Sequence, residues 1–116
     1  MKILFDQGTP RPLKKFLYPH TVDIAFLLGW NELKNGDLIA AAEAAGYDLL
    51  ITTDQSIRYQ QNLSRRKIAI VVLMTNDWPG AIEPSVHLVL DAIAKVSPNA
   101  FREVFFPKPP KRPVPA

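Results

Sequence analysis

Asp6, Asp54 and Asn76 each follow directly on a short run of apolar or β-branched residues. Such runs predict buried strands, and the carboxyl ends of parallel strands meet at one edge of a sheet. Two carboxylates held about 4 Å apart at a partly screened site repel each other by about 4 kcal/mol. A bound cation or a retained proton offsets that repulsion. The spacing therefore predicts a cation site at one edge of a sheet.

The composition narrows the choice of cation. The chain has no cysteine and only two histidines, too few soft or imidazole ligands for a zinc centre. Carboxylate and amide oxygens favour Mg²⁺ or Mn²⁺. Such ions activate water and stabilise negative charge at a phosphodiester, so phosphodiester hydrolysis is the reaction that these residues suggest.

Each acid also has a purely structural interpretation. Asp6 is placed to form an Asx-turn before Gly8. Asp54 can cap the helix that follows it, an effect worth about 1 kcal/mol. A third acid, Asp37, can complement the dipole of the helix that it opens. Both interpretations stay open for all three aspartates.

The positions of these residues depend on the elements around them. Strands are predicted at residues 2–5, 21–26, 48–53 and 68–73, with an edge strand at 101–106. Helices are predicted after a Thr9 cap, from Asn35-Gly36-Asp37 through Ala45 with Gly46 as the stop, from Asp54 to about Leu63, and over residues 82–96. In the irregular stretch between the second strand and the second helix, Leu28, Trp30 and Leu33 are expected to pack on the core. Alternating strands and helices predict a single three-layer α/β domain over residues 1–106, with a mostly parallel sheet of four to five strands and helices on both faces.

The length and composition agree with a soluble, cytoplasmic protein. Hydrophobic residues make up 47% of the chain and charged residues 22%, and no apolar run approaches the ~20 residues that span a bilayer. The net charge is +3, and the proline-rich segment 107–116 holds three basic residues and no acid. We therefore expect a flexible basic tail on a neutral body, with no membrane contact.

Three short motifs resemble the PIN domain. They are Ile-Leu-Phe-Asp at residues 3–6, Asp-Leu-Ile-Ala-Ala-Ala at 37–42 and Leu-Leu-Ile-Thr-Thr-Asp at 49–54. PIN domains carry an aspartate after the first strand, an Asp-Ala-Leu-Ile-Ala-Ala-like helix start and a Leu-Val-Thr-x-Asp strand end. More narrowly, the chain resembles the short PIN-like family found as toxins of toxin–antitoxin pairs, over about residues 1–76. The resemblance implies an Mg²⁺- or Mn²⁺-dependent endoribonuclease in which Asp6, Asp37 and Asp54 hold the metal and support catalysis.

One feature of the family is missing. A full PIN domain supplies a further acid, usually a glutamate, from a helical segment between the first two motifs. Glu32 lies in the right stretch but in an irregular segment, and Glu43 lies two turns into the helix that Asp37 opens, so neither is assigned as its substitute. Three carboxylates favour a site for one metal ion, with slow or lost catalysis. Arg11, Arg58 and Asn76 are the candidates for contacts with the RNA substrate.

Three functions remain in competition. The first is a ribonuclease, acting as a toxin that an antitoxin protein restrains. The second is a PIN-like scaffold that has lost its chemistry and serves as a protein-interaction module, and a homodimer is a further candidate assembly. The third is a phosphoacceptor receiver domain, ranked last because the chain lacks an acidic pair beside Asp6 and a lysine after the strand at 68–73.

Overall fold

A computed structural model describes residues 1–57 and 66–107 of the chain. The strands are β1 (Lys2–Phe5), β2 (Thr21–Ile24), β3 (Leu49–Thr52), β4 (Ala69–Leu73) and β5 (Phe101–Val104). The α-helices are α1 (Asn35–Ala44) and α2 (Val86–Lys95), and a 3₁₀ helix spans Arg11–Leu17. The end of the helix predicted after Asp54, and all of the predicted tail except Pro107, lie outside the described residues.

The five strands form one parallel sheet in the order β2-β1-β3-β4-β5. From β1 the chain crosses first to β2 on one side and then to β3 on the other, and Phe5 pairs with both Ile24 and Ile51. The strand order therefore reverses at β1 and β3. In open parallel sheets, ligands bind at the carboxyl ends of the strands at such a point.

Helices cover both faces of the sheet, which confirms the predicted three-layer α/β architecture. On one face the 3₁₀ helix and α2 pack against the strands, and on the other face α1 does so. The strand β4 is buried along its whole length, as expected for a central parallel strand with both faces covered. The fully buried side chains on the first face include Ile3, Phe5, Leu13, Leu17, Leu49, Ile51 and Leu73, and those on the second include Leu4, Ile39, Leu50 and Ile57.

The region after β1 differs from the prediction. The 3₁₀ helix begins after Pro10 with no side-chain cap, so the Thr9 cap was wrong. The hydroxyl of Thr9 instead lies 2.7 Å from Asp6 Oδ1 and 2.8 Å from the carbonyl oxygen of Ile51. These contacts orient the hydroxyl toward Asp6 and the end of β3, and the helix begins one residue later, after Pro10.

The segment after β2 is more exposed than the sequence suggested. The strand ends at Ile24, and Phe26 is 45% exposed. Leu28 and Leu33 were expected to pack on the core, yet they are 42% and 37% exposed, so that expectation was wrong. Trp30 is half-buried and meets Tyr47 edge to face at 6.2 Å between ring centroids. A 3₁₀ turn at Ala25–Leu28 follows the short strand at once, and it carries Phe26 and Leu28 away from the sheet.

The remaining boundaries follow local stop signals. Gly46 has a φ of +83°, the left-handed conformation that ends α1 as predicted. The helix predicted over residues 82–96 is shorter, because a single π turn at Trp78–Ile82 and a 3₁₀ turn at Glu83–Ser85 precede α2. Within the described residues, no helix combines the length and apolar character needed to cross a membrane.

Candidate functional site

Asp6 stands one residue beyond β1, at the reversal point of the sheet. Its backbone N–H donates to the carbonyl oxygen of Ile51 at 3.2 Å, so the β1–β3 ladder extends as far as the aspartate. The backbone N–H of Thr9 donates to Asp6 Oδ1 at 3.1 Å and to the Asp6 carbonyl oxygen at 3.3 Å. The turn after β1 therefore fixes the carboxylate in one orientation, half-buried at the edge of the sheet.

Thr52 joins the two candidate acids. Its side chain is 1% exposed, and its hydroxyl donates to Asp6 Oδ2. The same hydroxyl oxygen accepts the backbone N–H of Asp54 at 3.0 Å. One buried threonine at the end of β3 thus connects the carboxylate after β1 with the backbone of the acid after β3.

Asp54 accepts hydrogen bonds on both carboxylate oxygens. Asn35, the first residue of α1, donates from Nδ2 to Oδ2 at 2.6 Å. Ser56 donates to Oδ1 from its backbone N–H at 2.9 Å and from its hydroxyl at 2.6 Å. These bonds, with that of Asn35 the largest effect, lower the pKa of Asp54 although partial burial opposes them. Asp54 is therefore a carboxylate at neutral pH.

Gly8 allows the loop after β1 to lie close to the end of β3. A Cβ atom at this position would come within 2.7 Å of Thr53 Oγ1 and within 3.9 Å of Asp6 Oδ1. A side chain on Gly8 would therefore displace the Thr53 hydroxyl beside the candidate site. The glycine is required by this close approach and not by a positive φ.

The two carboxylates at the carboxyl edge accept hydrogen bonds from neutral donors. Among the described residues, Asp6 and Asp54 form no ion pair, and their partners are hydroxyl, amide and backbone N–H groups. A carboxylate has about four acceptor sites, so, counting the partners that residues 1–57 and 66–107 supply, one acceptor site of Oδ2 stays available on each aspartate. That is the capacity a monodentate metal ligand needs. Mg²⁺ commonly takes only one or two protein carboxylates and completes its shell with water and phosphate oxygens, so the donor set fits such an ion.

Asp37 is not gathered with the other two acids. It is exposed in the first turn of α1, two residues after Asn35. In residues 1–57 and 66–107, no group of three His, Cys, Asp or Glu side chains is positioned to hold a metal ion. The structure thus connects the Asp6 carboxylate to the backbone of Asp54 through Thr52, and the metal role of Asp37 remains a prediction.

The predicted substrate contacts lie around the same edge. Arg11 begins the 3₁₀ helix after the Asp6 turn and is exposed, and Asn76 is exposed three residues beyond β4. Gln55 Nε2 donates to the carbonyl oxygen of Met74 at 3.1 Å, which connects the loop after β3 to the end of β4. Arg58 lies outside the described residues. Their contacts with RNA remain predictions.

Neither glutamate considered as a fourth acid is part of this site. Glu43 Oε1 accepts the backbone N–H groups of Lys67 and Ile68 at 2.8 and 3.3 Å, and Oε2 lies 3.7 Å from Arg66 Nη1. These contacts hold the chain just before β4, at the amino edge of the sheet. Glu32 is exposed in the turn before α1.

The amino edge also has a cavity. It measures about 790 Å³ and is lined in part by Glu43, Tyr47, Asp48 and Lys67. It lies at the end of the strands opposite to Asp6 and Asp54, so the concave surface and the paired acids are separate features. We base the candidate site on the acids, because they occupy the reversal point of a parallel sheet.

Sequence reasoning missed the groups that hold the two acids. Thr9, Asn35, Thr52 and Ser56 donate to them or bridge between them. Only Thr52 carried a usable signal, since a polar residue two positions before Asp54 in a buried strand needs a partner. The contact of Asn35 with Asp54 joins residues 19 apart in sequence, and no local pattern reports it.

Comparisons with known proteins do not assign this chain to a family. Neither a scan against protein-family models nor searches of curated proteins and solved structures found a match. The resemblance to the short PIN-like family therefore stays a prediction. What can be said of the function follows from the geometry at the carboxyl edge.

Proposed function

We propose that this protein is an Mg²⁺- or Mn²⁺-dependent endoribonuclease of the PIN-like type. One observation supports the proposal above all others. Asp6 and Asp54 follow neighbouring strands at the reversal point of the sheet, and the buried hydroxyl of Thr52 connects them. Two carboxylates surrounded by neutral donors form a negative site that lacks a cation among the described residues.

In this proposal Asp6 and Asp54 hold the metal ion through their Oδ2 atoms. When bound, the ion supplies an activated water and stabilises charge at the scissile phosphodiester. The hydrogen bonds of Asn35 and Ser56 keep Asp54 ionised by lowering its pKa. Thr52 and Thr9 fix the orientation of the Asp6 carboxylate, so neither ligand reorganises on binding.

Asp37 is the third candidate ligand. It lies in the first turn of α1, the same turn whose Asn35 contacts Asp54. Arg11, Asn76 and Arg58 are proposed to contact phosphates near the cleavage site. As the toxin of a toxin–antitoxin pair, the enzyme would be restrained by an antitoxin protein, and a small upstream reading frame encoding a DNA-binding or acidic protein would support that role.

The test is cleavage of single-stranded RNA by the full-length protein in millimolar Mn²⁺, with EDTA as the metal-free arm. Asp6→Asn and Asp54→Asn should each reduce cleavage by more than about 100-fold, because even the outer-shell partners of a metal account for about 10- to 100-fold. Asp91→Asn is the matched control, since Asp91 is an exposed aspartate on α2 that pairs with Lys95. Its cleavage rate should equal that of the wild type.

Asp37→Asn distinguishes a site with two carboxylates from one with three. A loss as large as that of Asp6→Asn would make Asp37 a ligand, and a wild-type rate would remove it from the site. Cleavage that survives both Asp6→Asn and Asp54→Asn would contradict the proposal. Mn²⁺ binding without any cleavage would instead favour the scaffold that has lost its chemistry.

A further inference from the structure

The 3₁₀ helix Arg11–Leu17 begins five residues after Asp6 and carries cations on its exposed side. Arg11, Lys14 and Lys15 are exposed, whereas Leu13 and Leu17 are fully buried against the sheet. The helix contains no acidic residue. The body of the chain is close to neutral, yet this element beside the candidate site presents three positive charges and no negative one.

An exposed aromatic ring stands at the same end of the molecule. Phe26 follows β2 in the turn Ala25–Leu28 and is 45% exposed. The guanidinium carbon of Arg11 lies 5.4 Å from the centroid of its ring, within the range of a cation–π interaction. Arg11 therefore connects the cationic helix to an aromatic surface at the carboxyl edge of the sheet.

We infer that Arg11, Lys14, Lys15 and Phe26 form a binding strip for single-stranded nucleic acid. This inference rests on the proposed function, since it names the form of the substrate that the Asp6–Asp54 site would receive. Cationic side chains that track the backbone, with an aromatic ring on which a base stacks, are the two components of single-strand binding. The charge complementarity with a polyanion favours this occupant over a second copy of the chain, whose matching strip would be equally cationic.

The strip predicts a preference for unpaired strands. A base stacks on Phe26 only when it is free of its own neighbours in a helix, and the phosphates beside it then meet Arg11. In a duplex each base is stacked between its neighbours, so only the cationic side chains of the strip can contribute to binding. Phe26 thus selects single strands, while Arg11 contributes the salt-dependent part of the affinity.

The experiment measures binding of a fluorescent single-stranded RNA to full-length protein in EDTA, where cleavage is suppressed. Phe26→Leu keeps an apolar side chain and removes the ring, and it should weaken binding about fivefold or more. Arg11→Gln should also weaken binding, and it should reduce the slope of log affinity against log salt by about 0.7. Phe26→Leu should leave that slope unchanged and should not affect binding of the matching duplex.

Matched controls lie on and just after β5, the outer strand on the opposite side of the sheet from β2. Arg102→Gln and Phe105→Leu change an exposed arginine on β5 and a phenylalanine, 68% exposed, just after it. They should bind RNA as the wild type does, and thermal melting should show all four variants folded. The partly conservative Phe26→Tyr should restore binding, because it restores an aromatic face.

Several results would contradict the proposal that these residues form a binding strip for single-stranded nucleic acid. Absence of RNA binding by the wild type, wild-type affinity in both strip variants, or equal losses in the controls would each do so. Dimerisation that Phe26→Leu abolishes, without an effect on RNA, would assign this surface to a second copy of the chain. Binding through the strip without cleavage in Mn²⁺ would contradict the proposed nuclease alone, whereas cleavage unaffected by the strip variants would contradict the strip alone.

Discussion

Carboxylates lie at both edges of the sheet. Among the described residues, Glu43 at the amino edge faces a cationic side chain, whereas Asp6 and Asp54 at the carboxyl edge do not. At the amino edge Glu43 contacts Arg66 and the backbone N–H groups before β4. Asp48 there accepts the backbone N–H of Lys2 at 2.8 Å. At the carboxyl edge Asp6 and Asp54 accept bonds from neutral hydroxyl, amide and backbone groups alone, within the part of the chain that the structure describes.

At the amino edge a lysine side chain also contacts a backbone carbonyl oxygen at the end of a helix. Lys2 Nζ donates to the carbonyl oxygen of Ala45 at the end of α1, at 2.8 Å, and stands 4.3 Å from the centroid of the Tyr47 ring. The Tyr47 hydroxyl donates to Asp23 at 2.6 Å. Burial first, and then this bond and the charge of Asp23, raise the pKa of Tyr47 to about 12. These charges at the amino edge thus support the fold.

The comparison shows that an aspartate near the end of a strand is not by itself a functional signal. What distinguishes Asp6 and Asp54 from Glu43 is that, among the described residues, their hydrogen bonds orient the charge without a cationic partner. Neutral donors lower the cost of holding a carboxylate and leave its charge available to a cation. We therefore expect changes at the carboxyl edge to alter metal binding and changes at the amino edge to alter stability alone.

The largest effect is expected from Thr52→Val, which breaks the connection between the two acids. Valine has nearly the same shape, but it leaves Asp6 Oδ2 and the backbone N–H of Asp54 without their partner at a buried position. The free energy of unfolding should fall by about 2 kcal/mol, as measured by urea denaturation. The response of the melting temperature to Mn²⁺ should also be weakened.

Thr53→Val is the matched control, since Thr53 is the next residue and is half-buried. Among the described residues its hydroxyl has no hydrogen-bond partner, so the loss of stability should stay below about 0.5 kcal/mol. Equal losses in the two variants would mean that the bridging hydroxyl of Thr52 has no special role. The paired acids would then be independent groups.

A second prediction compares how variants at the two edges respond to Mn²⁺. An ion that binds the native state alone stabilises it by about 1.4 kcal/mol at ten times its Kd. Asp6→Asn should abolish this gain while leaving the metal-free protein at least as stable, because it removes one of two like charges. Glu43→Gln should do the reverse: it should lower the stability by about 1 kcal/mol and preserve the gain.

Calorimetry and thermal melting with and without Mn²⁺ measure both quantities. The predicted contrast fails if wild-type protein shows no heat of Mn²⁺ binding, or if Glu43→Gln loses the response as fully as Asp6→Asn does. Asp6→Asn that unfolds in the absence of metal would mean that Asp6 acts mainly as a turn residue. That result would favour the structural interpretation of this aspartate.

The sheet could be predicted from the sequence because its signals are local. The apolar runs at β1, β3 and β4 and the turn residues after them mark buried parallel strands, and all three are present near the predicted positions. Two expectations failed where tertiary contacts override local preference. Thr9 has the chemistry of a helix cap, but its hydroxyl contacts Asp6 and the carbonyl oxygen of Ile51, and the helix begins after Pro10. Leu28 has the chemistry of a core residue, but the turn after β2 carries it to the surface.

The candidate site was only partly predictable. The positions of Asp6 and Asp54 follow from the parallel order of their strands, which the alternation of elements indicates. The placement of Asp37 away from them depends on how α1 sits on the sheet, and periodicity does not determine this. The contact of Asn35 with Asp54 depends on the same docking. Sequence patterns thus located the edge, and the packing of α1 decided which side chains meet there.

The smallest effect is expected from Asn35→Ala, which tests how the charge of Asp54 is held. Asn35 gives the largest contribution to the lowered pKa of Asp54, so the variant should raise that pKa toward its ordinary value of 3.8. A carboxyl whose pKa is lowered on folding contributes stability above its unfolded-state pKa and loses it as pH falls through the folded-state pKa. The variant should therefore be less stable near neutral pH, by less than about 1 kcal/mol because solvent screens this half-buried pair. In acid the difference from the wild type should shrink.

Urea denaturation at neutral and acid pH, with an NMR titration of the Asp54 carboxyl carbon, measures both parts of this prediction. Asn31→Ala is the control, because Asn31 is exposed in the turn before α1. A double variant with Asp54→Asn isolates the pair, since the effect of Asn35→Ala should shrink once the charge is gone. A loss that is the same at both pH values would instead reflect the preference of α1 for its first residue. Asn35 would then be a helix-start residue that happens to touch Asp54, and the carboxyl edge would resemble the amino edge in using its polar groups for the fold.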